Sequence, residues 1–185
     1  MPGIAYAHVY DLAADQHGYF TAGQARRWGV QANTLVMMAK RSSLERLSHG
    51  VYRLVHFPAS PLGQYVEATL WPGGGTRGVV SHQSALALYG VSDVSPARIH
   101  VTVPRRFRTH REVPRHLVLH REDVPETHLD VVEGIPVTTL ERAIRNCAQA
   151  HLGAELIGQA IDEGEQKGHL SRATAAKLRA ELLPA

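Results

Sequence analysis

Residues 29–54 form a stretch, GVQANTLVMMAKRSSLERLSHGVYRL, that indicates how the first third of the chain folds. On a helical wheel, its first half places Gln31, Leu35, Met38 and Ala39 on one face. The opposite face carries a carboxamide, a thioether and two basic groups, from Asn33, Met37, Lys40 and Arg41. A helix that only packs against a core does not need this second face, so the pattern indicates a helix that presents it to a partner.

The second half of the stretch indicates a β-hairpin. Leu44–Leu47 and Val51–Leu54 are short strand candidates on either side of Ser48-His49-Gly50, which has the composition of a turn. A hairpin placed directly after an amphipathic helix suggests a unit that offers both elements to one partner.

The residues before the stretch predict two more helices. One helical pattern runs up to Gln16 and is broken at Gly18. Thr21 and Gln24 fit a capping box that opens a second helix, and Gly29 ends it as a glycine just past a helix often does. Three helices followed by a hairpin is the order of a winged helix-turn-helix, which we predict for residues 1–57.

Residues 62–185 mix helical and strand patterns and predict a separate α+β domain. Strand candidates lie at 98–103 and 116–120, short extended pieces lie at 131–132 and 135–137, and we expect Ser81 to cap a helix through Leu88. A second capping box, Thr138 with Glu141, predicts a helix to about Ala150, and two helices near 152–163 and 171–183 follow. The predicted fold class is therefore α+β, a winged helix-turn-helix followed by a mixed domain with C-terminal helices.

Charge is distributed unevenly along the chain, whose net charge is +3. Residues 1–60 and 61–115 carry +3 and +4, whereas residues 116–185 carry −4. A basic front suggests a polyanion partner, and an acidic rear permits a different one.

The single cysteine, Cys147, has no disulfide partner, and we see neither a leader nor a membrane-spanning run. We therefore expect a cytoplasmic protein.

The basic helix face and the hairpin predict contacts to double-stranded DNA. An α-helix fits the major groove, where Asn33, Thr34 and Met37 are placed to read bases and Lys40 and Arg41 to bind phosphates. The predicted DNA contacts come from the helix (Gln31, Asn33, Thr34, Met37, Lys40, Arg41), from the hairpin as a wing (Ser48, His49, Arg53) and from a later loop (Arg105, Arg106, Arg108). The alternative is that helices and hairpin form only a packing unit with a solvated basic face.

Three separated blocks carry a resemblance to a known family. GYFTAGQARRWGVQANTLVMMAKRSSLERLSHGVYRL (18–54) resembles the N-terminal domain of the AbiEi antitoxins of type IV toxin–antitoxin systems. SHQSALALYGVSDVSPARIHVTVPRR (81–106) and GIPVTTLERAIRN (134–146) resemble the segment that follows it in many actinobacterial members. The resemblance implies an autorepressor that binds inverted repeats in its own promoter and neutralises a neighbouring nucleotidyltransferase-like toxin. Some relatives carry a C-terminal endonuclease-like domain, for which this chain is too short.

The later loop is PRRFRTHREVPRH, residues 104–116, between two predicted strands. It is a loop or an exposed hairpin, and a solvated turn and a phosphate-binding segment are equally compatible with it. All five of its basic residues are arginines, whose guanidinium groups match phosphate bidentately.

The sequence shows no catalytic constellation, and we expect no catalytic residues, metal site or cofactor. His116 and His120 lie on one strand face but too far apart for one ion. Trp71–Gly78 is glycine-rich but lacks the Lys-Ser/Thr of a phosphate-binding loop, and Glu165-Gln166-Lys167 lies in a helical tract rather than on a strand. The alternative function is a small nucleic-acid-processing enzyme or factor that acts through the second domain.

An acidic tract near the C-terminus suggests a mode of toxin recognition. Glu155, Asp162, Glu163 and Glu165 lie close together in helical sequence. A nucleotidyltransferase cleft that holds nucleotide phosphates and RNA is expected to be basic, so an acidic helix surface could occupy it as a nucleic-acid mimic. An acidic face that only keeps the protein solvated is the alternative.

Overall fold

The computed structural model describes residues 3–183 and divides the chain into two compact units. The first ends at Gly78 and the second begins at Val79. Within the described range the chain forms an α+β fold with eight α-helices and two β-sheets. No helix among these residues is both long enough and apolar enough to cross a membrane.

The first unit combines four helices with a three-stranded sheet of order β1-β3-β2. Its elements in chain order are α1 (Ile4–Ala14), β1 (Tyr19–Thr21), α2 (Ala22–Arg27), α3 (Ala32–Lys40), β2 (Leu44–Ser48), β3 (Val51–Leu54) and α4 (Gly63–Leu70). The three helices and the hairpin occur in the predicted order. The hairpin gains a third strand, β1, which pairs antiparallel with β3 and which the sequence did not indicate.

The core of the first unit explains how α3 is held. Leu35, on the inner face of α3, is fully buried in one cluster with Phe20, Tyr52 and Leu54 from the sheet. The Phe20 and Tyr52 rings stack with their centroids 5.7 Å apart. Burying a large apolar side chain contributes about 1.5–3 kcal/mol, so this cluster fixes the orientation of α3 and with it the opposite face.

The predicted capping box at the start of α2 is confirmed. The Gln24 backbone N–H donates to Thr21 Oγ1 at 3.1 Å, and the Thr21 N–H donates to Gln24 Oε1 at 2.7 Å. The Gln24 side chain also donates to Gln16 Oε1 at 2.8 Å, which connects α2 to the residues just after α1. Gly29 follows the helix with a φ of +79°, a conformation that glycine adopts without steric cost.

Helix α4 groups with the first unit, although residues 62–185 were assigned to the second domain from sequence. Gly63 opens α4, and a Cβ at this position would lie 2.4 Å from the Tyr19 hydroxyl of β1. A side chain at this position would force the Tyr19 ring to move. The domain boundary itself stays a prediction.

The second unit is built on a five-stranded mixed sheet of order β6-β5-β4-β8-β7. Its strands are β4 (Val79–Val80), β5 (Ile99–Val103), β6 (Leu117–Arg121), β7 (Leu129–Val132) and β8 (Ile135–Thr138). Its helices are α5 (His82–Tyr89), α6 (Leu140–Gln149), α7 (Ala154–Gln166) and α8 (Arg172–Leu182). Strands β5 and β6 run parallel, whereas β7 and β8 form an antiparallel hairpin.

Two predicted helix caps of the second unit differ in detail from the structure. Ser81 is the N-cap of α5, but its side chain makes no capping hydrogen bond and instead accepts from Thr102 Oγ1 at 2.8 Å. Helix α6 begins after Thr139 rather than Thr138, again without a side-chain cap. Thr138 is the last residue of strand β8, so the β7–β8 hairpin determines where α6 can begin. The capping box predicted from Thr138 and Glu141 is therefore wrong.

Candidate nucleic-acid interface

Helix α3 presents the exposed face that the sequence predicted. Asn33, Lys40 and Arg41 are exposed, and Met37 keeps 47% of its surface accessible while Leu35 is fully buried. Val36, at 44%, adds an apolar side chain to the exposed surface of α3. The outer face of α3 therefore combines hydrogen-bonding, apolar and cationic groups.

The two remaining predicted DNA contacts of this segment, Gln31 and Thr34, do not lie on the exposed face of α3. Gln31 is the N-cap of α3 and is exposed, and its side chain makes no capping hydrogen bond. The helical wheel predicts Gln31 on the inner face of the helix. This prediction is wrong, because Gln31 precedes the first residue of α3. Thr34 is half-buried and lines a cleft of about 460 Å³ with Tyr6, Met37 and Met38 among others. Helix α3 thus borders this cleft with part of its predicted DNA-binding face.

The β2–β3 hairpin forms a wing whose tip is polar and basic. His49 is exposed at the tip, and Gly50 follows with a φ of +77°. The guanidinium of exposed Arg46 comes within 3.5 Å of His49 Nδ1. The ladder shifts register between Arg46 and Ser48. Arg46 is a further candidate phosphate contact that the sequence does not indicate. Its position within strand β2 predicts pairing with β3, but it does not show that the side chain reaches the tip of the hairpin.

The other two predicted wing residues lie in less accessible settings. The Ser48 Oγ is buried and has no hydrogen-bond partner within the described chain. Arg53 lies opposite Glu45 in the ladder, 3.9 Å from its carboxylate, and donates to the Phe57 carbonyl at 3.3 Å. Its guanidinium also lies over the Tyr19 ring, 5.8 Å from the centroid. The structure therefore brings His49 and Arg46 to the tip, and Arg53 to the body of the sheet.

Exposed charge in the first unit is mainly positive. Exposed arginine and lysine side chains occur at the end of α2, at the end of α3, on the wing and after α4, at Arg26, Arg27, Lys40, Arg41, Arg46 and Arg77. Exposed carboxylates occur at Asp11, Asp15 and Glu45. A surface with this balance attracts a polyanion.

The arginine-rich loop of the second unit connects two parallel strands, so the exposed hairpin considered from sequence is wrong. Phe107 anchors the loop with 9% of its surface exposed, and Asp123 accepts from the Arg105 backbone N–H at 3.0 Å. Arg108 donates to the carbonyls of Arg105 and Phe107 at 2.8 and 3.0 Å. The side chains of Arg105 and Arg106 are exposed, whereas Arg108 also stabilises the loop.

The acidic tract of the second unit is largely paired with cations of the same unit. Arg179 binds Asp162 at 2.6 Å and Glu165 at 2.8 Å, which links α8 to α7. Glu163 lies 3.3 Å from Lys167 one helical turn later. Three of the four acids that suggested nucleic-acid mimicry are therefore paired within the unit. Most of the negative charge that the mimicry hypothesis requires is neutralised by neighbouring cations.

The candidate enzymatic features have structural roles. Gly73, Gly74 and Gly75 all have positive φ and form a turn after α4. The Cys147 thiol is fully buried on the inner face of α6, and burial raises its pKa to about 12. A thiol in this state is not an activated nucleophile.

One histidine that was rejected as a metal ligand from sequence lies in an unexpected cluster. His116 is exposed before β6, but His120 on β6 meets His82 and His100, with ligand nitrogens within 4.8 Å of one another. Burial first, then the neighbouring imidazoles and Arg142, lowers the pKa of His82 to about 3. Burial, followed by His120 and Arg98, lowers the pKa of His100 to about 4, and burial also lowers the pKa of His120. The cluster is therefore neutral at pH 7.

Two family models match the chain, one in each unit. A model described as a transcriptional regulator, AbiEi antitoxin, matches residues 9–55. A model described as the AbiEi antitoxin C-terminal domain matches residues 78–153. The first match spans α3 and the wing, and the second spans the histidine cluster and the arginine-rich loop.

A solved structure supports the fold. The crystal structure of the RV2827C protein from Mycobacterium tuberculosis aligns with a TM-score of 0.55 at 14% sequence identity. The alignment covers 98% of this chain and 73% of that one. At this identity the similarity shows the fold alone. No curated protein matches the chain significantly.

Proposed function

Because the chain belongs to the AbiEi family of antitoxins and transcriptional regulators, we propose that it represses its own promoter and neutralises a nucleotidyltransferase-like toxin. One observation carries the DNA-binding part. The exposed face of α3 bears Asn33, Met37, Lys40 and Arg41 while Leu35 fixes the helix in the core. This is the arrangement by which a recognition helix enters the major groove.

The chemistry of the exposed face divides into base reading and phosphate binding. An asparagine carboxamide pairs bidentately with adenine, so Asn33 is the residue we propose for sequence readout. Met37 offers apolar contact to a thymine methyl group. Lys40 and Arg41, at the end of α3, bind phosphates and position the helix without reading sequence.

The wing adds phosphate contacts beside the groove. His49 and Arg46 are exposed near the turn, and we propose that they bind the adjacent DNA backbone. The proposed operator is an inverted repeat, which presents the same half-site twice. Two copies of the chain bind such a site with half-sites about 10–10.5 base pairs apart or at multiples of this spacing.

The arginine-rich loop supplies a second candidate phosphate site. Arg105 and Arg106 carry exposed guanidinium groups, and Phe107 and Arg108 hold the loop in place. A loop fixed by its own hydrogen bonds loses little conformational entropy when it binds. We include these arginines in the proposed DNA contacts.

Toxin neutralisation is assigned to the second unit, as the C-terminal family model suggests. The regulator family and the structural roles of Cys147 and Glu165 favour a non-enzymatic mechanism. Both activities take place where the promoter and the toxin are found, so we place the protein in the cytoplasm.

Footprinting and growth assays test the two parts of the proposal. Purified full-length protein, incubated with DNA from upstream of its own gene, is expected to protect an inverted repeat. A matched fragment with one half-site scrambled is the control. Co-expression with the neighbouring toxin gene is expected to restore growth. Absence of a protected repeat contradicts autorepression, and continued growth arrest contradicts the antitoxin role.

A further inference from the structure

The second unit contains a cluster of three imidazoles that the proposed function does not use. The rings of His82 and His120 stack with centroids 3.6 Å apart, and His100 Nδ1 lies 3.0 Å from His120 Nε2. One nitrogen from each of the three rings lies within 4.8 Å of the other two. His82 is buried, with 7% of its surface exposed, whereas His100 and His120 are half-buried.

The sheet topology brings these residues together from distant parts of the sequence. In the parallel pair β5–β6, His100 lies opposite Val118 and His120 lies opposite Thr102, so both histidines occupy one face at diagonal positions. The first residue of α5, His82, completes the set. Ser84 Oγ accepts from the His100 backbone N–H at 2.9 Å and fastens the start of α5 to β5.

His82 adopts a backbone conformation that a histidine rarely takes. Its φ is +54°, in the left-handed region, although it lies at the start of a helix. A buried non-glycine residue in this region costs free energy, and such strain concentrates at functional sites. The imidazole that this backbone carries stacks on the ring of His120.

We propose that His82, His100 and His120 form a binding site for a divalent transition-metal ion, with Zn²⁺ as the preferred ion. Three imidazoles are a well-suited donor set for zinc, and a fourth position remains open for water or another ligand. Tetrahedral zinc with Zn–N bonds of about 2.0–2.1 Å places its nitrogens about 3.4 Å apart. The 3.0 Å separation of two of the nitrogens is close to this spacing. The third nitrogen, on His82, lies within 4.8 Å of both, so metal binding requires the His82 ring to turn out of its stack on His120.

The surroundings of the cluster suit a metal site in two ways. Ser81 Oγ lies 3.0 Å from His82 Nδ1, and when it accepts the proton there, the other ring nitrogen is bare for a metal. Thr102 Oγ1 in turn donates to Ser81 Oγ. The nearby cation Arg142 is ion-paired with Glu122, which reduces its repulsion of a bound ion.

The protonation state of the cluster is also compatible with metal binding. A metal binds the neutral imidazole, and the hydrogen bond between His100 and His120 needs one bare ring nitrogen as its acceptor. The hydrogen bond between His100 and His120 requires a proton on one of the facing nitrogens. Metal binding moves that proton to the other nitrogen of the same ring, so both facing nitrogens become ligands without a net change in charge.

Metal titration of the full-length chain tests the site. The protein is treated with a chelator, desalted and titrated with ZnSO₄ against a chromophoric zinc indicator, and CoCl₂ reports geometry by visible absorption. We expect one ion per chain and the intense colour of four-coordinate Co²⁺. Bound zinc also raises the melting temperature, because it binds only the folded state.

The variants separate a metal site from simple packing. His82→Asn keeps a residue that tolerates the left-handed conformation but removes the imidazole, and His120→Gln removes a second ligand. Each is expected to weaken zinc binding at least about tenfold and to abolish the melting-temperature shift, by analogy with the losses seen around metal ligands. His116→Gln, outside the cluster, is expected to bind like the parent.

Circular dichroism establishes that each variant is folded, and the His82→Asn variant keeps the test valid if His120→Gln unfolds. A parent chain that binds no zinc overturns the proposal. Variants that bind zinc as the parent does overturn it as well. In either case the three imidazoles are a packed polar cluster.

Discussion

Arg179 Nη2 lies 2.6 Å from Asp162 Oδ1 and thereby joins the last helix of the second unit to the helix before it. The same guanidinium binds Glu165, so Asp162 and Glu165 form ion pairs inside the protein that hold α7 and α8 together. This arrangement changes what a charge reversal at these positions would measure. A lysine at Asp162 would face Arg179 and disturb the helix pair, whatever the role of the acidic surface.

Glu155 offers a cleaner test of nucleic-acid mimicry. It is exposed in the first turn of α7, and the ion pairs found within residues 3–183 do not include it. We predict that Glu155→Lys leaves toxin neutralisation unchanged, measured as growth during co-expression, with Glu155→Gln as the matched control. Loss of rescue in the lysine variant alone would restore the mimicry hypothesis.

The capping box of α2 predicts a stability effect. Thr21→Ala removes the acceptor for the Gln24 backbone N–H and is expected to cost about 0.5–2 kcal/mol of unfolding free energy. Thr21→Ser keeps the hydroxyl and should retain most of that stability. Urea unfolding of the full-length variants measures the difference, and equal stability of the two variants would show that the cap contributes nothing.

The arginine-rich loop predicts a change in salt dependence. Replacing Arg105, Arg106 and Arg108 with alanine is expected to lower the slope of log K against log salt by about 0.9 for each phosphate that the loop no longer binds. The double variant of Arg105 and Arg106 is the more informative comparison, because Arg108 also donates to loop carbonyls. An unchanged slope in both variants would show that the loop binds no phosphate and is a solvated turn.

Local patterns predicted the first unit well. The amphipathic face of α3 and the Thr21–Gln24 capping box depend on residues within one or two helical turns, so the sequence contains the information directly. Strand β1 was missed because its three residues are stabilised by pairing with β3, which lies much later in the sequence. A segment this short has no periodicity of its own to detect.

Long-range register explains what the sequence could not show in the second unit. The Thr138–Glu141 spacing matches a capping box, but Thr138 is held in β8 by pairing with Leu129. The cluster of His82, His100 and His120 depends on the parallel alignment of β5 with β6. The sequence spacing of His116 and His120 carries no information about ligands on a neighbouring strand and helix.

Comparing the affinity of the Asn33→Ala variant for operator DNA with its affinity for scrambled DNA shows whether α3 reads the operator. Fluorescence anisotropy with the full-length chain at fixed salt gives the ratio of the two affinities. We predict that Asn33→Ala lowers the free energy of discrimination, which is RT times the logarithm of this ratio, by about 1–3 kcal/mol, whereas Lys40→Ala weakens both affinities and preserves the ratio. An Asn33→Ala variant that discriminates as well as the parent would mean that Asn33 on α3 does not read the operator.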